Sequence, residues 1–80
     1  MNNNAVIQTR LEELFKVMDP RASVTIFKKA EDNKEELLRS NKLFRLLADN
    51  EFIGNRAIYN ARVIGFTVTL GVASILIEEA

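Results

Sequence analysis

Apolar residues along the first stretch fall at Ile7, Leu11, Leu14, Phe15 and Met18, a spacing that keeps them on one face of a helix at 3.6 residues per turn. The pattern predicts a helix over about 4–18. Asn4 is its expected N-cap, and Asp19-Pro20 its stop, because a residue before proline is pushed out of the α region. Ser23-Val24-Thr25-Ile26-Phe27 then alternates polar and apolar with β-branched and aromatic side chains, which predicts a short strand with Val24 and Ile26 on one face.

Asp32-Asn33-Lys34-Glu35 has the arrangement of a capping box, and acidic residues there precede Arg39, Lys42 and Arg45, as the helix dipole prefers. A second helix is expected over about 33–49. Leu37, Leu38, Leu43, Phe44, Leu46 and Leu47 would give it an apolar arc wider than one small core needs.

The segment 52–77 carries only Arg56 and Arg62 as charges, and the fifteen positions from Val63 to Ile77 carry none. Their β-branched and aromatic content predicts a strand apolar on both faces, bent or bulged at Gly65 or Gly71, or broken into two strands. Gly54-Asn55 offers a hairpin turn between Phe52-Ile53 and Ala57-Ile58. A competing reading makes 51–64 helical, since Ile53, Ala57, Ile58, Ala61 and Ile64 also recur at helical spacing. A membrane-spanning helix would need roughly 18 to 20 apolar residues, so the uncharged run is too short for one. The expected class is therefore α+β, with two helices and a short sheet in the order α-β-α-β(β).

With 80 residues and 9.1 kDa, one domain spanning 1–80 is expected, because a chain this size buries only about 60% of its unfolded surface. Eleven basic and eleven acidic residues cancel, and there is no His and no Cys. Histidine- and cysteine-based nucleophilic catalysis and imidazole or thiolate metal sites are excluded. Neither G-x-x-x-x-G-K-[ST] nor G-x-G-x-x-G occurs, so no phosphate-cradling loop of those kinds is expected at Gly54, Gly65 or Gly71. The carboxylates Glu31, Asp32, Glu35 and Glu36, with Asp49, Glu51, Glu78 and Glu79, lack a defined ligand spacing. They read as helix-end and surface charges, and no catalytic residue, metal or cofactor is assigned. Met1-Asn2-Asn3-Asn4 lacks the basic and apolar regions of a secretory signal, so a cytoplasmic location is expected.

Apolar surplus without catalytic equipment is the feature left to explain. The leading expectation is a small non-enzymatic interaction module, a regulator, inhibitor or assembly subunit, that binds itself or another protein through Leu43, Phe44, Leu46, Leu47, Phe66, Val68 and Ile75. An isologous dimer joined through strand edges or through the second helix would be its simplest assembly. The alternative is a nucleic-acid-binding regulator using Lys28, Lys29, Arg56, Tyr59 and Arg62, in which charge holds phosphate and the ring stacks a base. Membrane association ranks third.

Overall fold

In a computed structural model the described residues are 9–78. They form an α+β domain in which short helices cover one face of a four-stranded sheet. The elements in chain order are helix α1 (Leu11–Lys16), strand β1 (Ser23–Lys29), a single 3-10 turn (Glu31–Asn33) and strand β2 (Glu35–Lys42). Helices α2 (Leu43–Leu47), α3 (Asn50–Gly54) and α4 (Arg56–Tyr59) follow, then strands β3 (Arg62–Thr69) and β4 (Val72–Glu78).

The sheet order is β2-β1-β4-β3, with β1 and β4 parallel at the centre and the two outer pairs antiparallel. Alternation in the central strands sorts their residues by face. Val24 and Ile26 of β1 and Ala73, Ile75 and Ile77 of β4 are buried. Ser23, Thr25, Phe27, Val72, Ser74 and Leu76, between them, are half-buried on the other face. Against the buried face pack Leu11 and Phe15 of α1, Leu43 and Leu46 of α2, Phe52 of α3, and Ala61. Phe15, Phe52 and Tyr59 form an aromatic cluster with ring centres 5.8 to 6.3 Å apart, tilted or edge-on as the ring quadrupoles favour.

The strand expected at 23–27 is present and runs two residues longer. The uncharged run does break into two strands. Leu70 and Gly71 form their turn with φ of 53° and 80°, and the register slips between Val63 and Gly65, a bulge at Ile64 next to the glycine.

The second helix, in contrast, is corrected. Residues 35–42 are strand β2, hydrogen-bonded to β1, and only 43–47 are helical. What looked like a capping box is the bend of a β-hairpin. Asp32 and Asn33 both take left-handed φ, 62° and 60°, and Ala30 N–H donates to Lys34 O at 2.7 Å. Asp and Asn tolerate that conformation better than other side chains, and pairing with β1 outweighs the helix propensity of Glu-Glu-Leu-Leu-Arg. Cross-strand contacts hold the pair together: Lys28 Nζ lies 3.7 Å from Glu36, and the Thr25 and Ser40 hydroxyls are 3.2 Å apart.

The first helix is shorter than its periodicity implied, since Arg10 is extended (φ −96°, ψ 155°) and bridges Arg62; Asn4 lies outside the described residues. Residues 50–59 are helical rather than a hairpin, but broken into α3 and α4 at Asn55. Asp49 starts α3 by accepting from the amides of Glu51 and Phe52 at 3.0 and 3.2 Å. No helix among the described residues is long and apolar enough to cross a membrane.

Candidate protein-interaction surface

The seven residues expected at an interface divide cleanly. Leu43, Leu46 and Ile75 are buried inside the chain's own core and offer no free surface. Phe44 and Leu47 project from α2, and the Arg45 guanidinium sits 5.5 Å from the Phe44 ring centre, so part of that surface is already shielded. Phe66 and Val68 stand on β3, and both are exposed.

β3 is an edge strand, and its exposure increases along its length: Ile64 38%, Phe66 47%, Val68 61%, then Leu70 97% at the hairpin tip. The register places Phe66 beside Ile75 and Val68 beside Ala73, on the face that the helices cover over the centre of the sheet but leave open here. At the start of the strand Val63 N–H donates to Thr9 O at 2.8 Å, and Arg10 bridges Arg62. Beyond that point no strand lies beside 64–69 among the described residues. An edge of unpaired amides and carbonyls is a template for another extended chain, and proteins usually blunt it with charge.

The opposite edge is blunted in that way. β2 carries Glu35, Glu36, Arg39 and Lys42, and is bulged where its register with β1 shifts. β3 has no charge after Arg62 and keeps an unbroken register from Gly65 to Thr69. Gly65 adds a recess, for a Cβ there would meet Leu76 Cβ at 3.2 Å, and beside it a depression of about 370 Å³ opens among Phe27, Thr67, Ser74 and Leu76.

Leu70 breaks a local rule without any internal compensation. A left-handed conformation costs an ordinary L-residue roughly 1–2 kcal/mol, and a two-residue hairpin turn prefers Asn or Asp before Gly. Here a bulky apolar residue occupies the position, almost fully in solvent. Sequence reasoning overlooked it. The available signal was a large aliphatic side chain just before the Gly of a turn, flanked by two β-branched runs.

Of the residues of the alternative reading, Lys28, Lys29 and Arg62 lie at one end of the sheet, where Lys28 pairs with Ile77 in register and Arg62 with Glu78, while Arg56 and Tyr59 lie on α4. Carboxylates are interleaved with them. Lys28 lies against Glu36, Arg56 is 3.8 Å from Glu12, and Arg62 forms an ion pair with Glu78. The end is therefore electrically mixed. Tyr59 faces Phe15 and Phe52 instead of presenting a free ring, and burial pushes its phenol pKa above 10.0, assisted by the Glu12 carboxylate and opposed by Arg56. Among the described residues no three acidic groups converge as metal ligands would.

Compared with protein-family models, curated proteins and solved structures, the chain has no significant match. Any functional reading therefore rests on the geometry of this fold.

Proposed function

We propose that this protein is a non-enzymatic interaction module that binds a partner chain, its own copy or another protein, by strand addition at β3. The carrying observation is the contrast between the two sheet edges: β2 is charged and β3 is apolar, free of charge from Val63 to Thr69. In strand addition the main chain supplies hydrogen bonds and alternate side chains supply selectivity. Ile64, Phe66 and Val68 are the apolar contacts along the strand, and Leu70 extends them into the turn.

Several carboxylates support the non-enzymatic part of the reading because they already have structural partners. Asp49 caps α3, Asp19 accepts the Arg21 amide at 2.8 Å, and Glu12, Glu36 and Glu78 face basic side chains.

The test is fluorescence anisotropy with a labelled extended peptide of alternating Val and Thr, on the chain diluted until monomeric. Val68→Lys should abolish binding, whereas Leu37→Lys on the opposite edge strand should preserve it. Equal binding by both variants, or no binding by the wild-type chain, would contradict the proposal.

A further inference from the structure

We infer that the strand added to β3 is β3 of a second copy of this chain, paired antiparallel about a two-fold axis at Thr67. This rests on the reading of β3 as the interaction surface and specifies its partner.

The sequence of the exposed stretch is its own complement. From Ile64 to Leu70 it reads apolar, Gly, apolar, Thr, apolar, Thr, apolar, so its apolar positions are symmetric about Thr67, with Gly65 opposite Thr69. Antiparallel pairing on that centre sets Phe66 of one copy against Val68 of the other and brings the turn residue Leu70 alongside Ile64 at the bulge, twice over. Every exposed apolar side chain of the edge then meets another, including the strained Leu70, which has no packing role within its own chain.

Charge and closure point the same way. The two Arg62 side chains fall at opposite ends of the joined strands, so like charges are never opposed. Thr9 occupies the outer side of Val63, and among the described residues the unpaired stretch begins beyond it, at the seven residues that the symmetric register uses. Pairing β3 with the β2 edge of a neighbour would instead be head-to-tail and would either continue as a filament or close as a ring, while bringing Glu35, Glu36, Arg39 and Lys42 against an uncharged strand. Self-pairing of β3 closes at two copies and gives a continuous eight-stranded sheet, two sets of the four strands seen here.

Sedimentation equilibrium on the full chain, with a disulfide trap, tests this. The sequence contains no cysteine, so a disulfide in Thr67→Cys can form only between two copies. Directly opposed antiparallel residues have Cα atoms about 4.5–5.5 Å apart, inside the disulfide range. The expected results are a mass twice 9.1 kDa, rapid cross-linking of Thr67→Cys but not of Leu37→Cys, and dimer dissociation at least about tenfold easier in Val68→Lys.

A dimer in which Thr67→Cys fails to cross-link would overturn the proposed pairing. So would a monomer, and amide exchange then separates its causes. Slow exchange across 64–69 would mean that residues 1–8 of the same chain cover the edge. Fast exchange with peptide binding retained would leave strand addition standing with a foreign partner, and fast exchange without binding would remove both readings.

Discussion

Leu70→Asn should make the isolated chain more stable and the assembled one weaker. At φ 53° leucine bears the left-handed penalty of roughly 1–2 kcal/mol, which Asn, hydrogen-bonding locally, largely escapes. Leu70 is 97% exposed, so its removal sacrifices almost no burial within the chain. The net expectation is a gain of about 1 kcal/mol, which in a domain of this size raises Tm by about 4–8 °C. Thermal unfolding followed by circular dichroism over a dilution series, extrapolated to the dilute limit, isolates this term. Burying a leucine against a partner contributes about 1.5–3 kcal/mol, and the two-fold buries one from each copy, so the same substitution should weaken self-association by about two to four orders of magnitude. A lower Tm at the dilute limit would refute the reasoning, since it would mean that Leu70 packs within its own fold.

Phe52→Ala removes a fully buried ring that contacts Phe15 and Tyr59, and should cost about 3–5 kcal/mol in urea unfolding; a cost below about 1 kcal/mol would deny the cluster its place in the core. Asp49→Ala deletes the side-chain acceptor of two α3 amides and should cost about 1 kcal/mol by the same assay, while Asn50→Ala, within the helix, should cost less. Tyr59 binds its proton more tightly when folded, so its contribution to stability is complete below pH 10 and declines as pH rises from there through the folded pKa. Tyr59→Phe should remove that alkaline component from a pH series of unfolding midpoints, and an unchanged decline would assign it elsewhere.

Elements whose local and tertiary preferences agree were legible in the sequence. Alternation at Val24 and Ile26 marked β1, and the uncharged β-branched run marked the strand content of β3 and β4, with an irregularity beside Gly65 and the break at Gly71 among the options it left open. β2 was concealed because its first half resembles a helix N-terminus and its leucines fit a helical arc; only the left-handed tolerance of Asp32-Asn33 hinted at a hairpin. Its identity is set by pairing with β1, a non-local effect that periodicity does not register.

The same limit applied to the surface. The surplus of apolar side chains was visible, but which of them the chain would use internally depends on packing: Leu43, Leu46 and Ile75 went inside, and Phe66 and Val68 remained outside. Hydrophobicity placed both groups in one set. Edge position in the sheet separated them.

A residue-level map of peptide binding by NMR separates strand addition at β3 from any other contact, because it reads both edges of one sheet in the same sample. The labelled chain, diluted until monomeric, is titrated with the alternating Val and Thr peptide. Amide shifts should concentrate at Ile64 to Leu70, and those amides should gain protection from exchange, while Glu35 to Lys42 of β2 stay unperturbed. Shifts centred on β2, or on the exposed side chains of α2 with β3 unchanged, would contradict it.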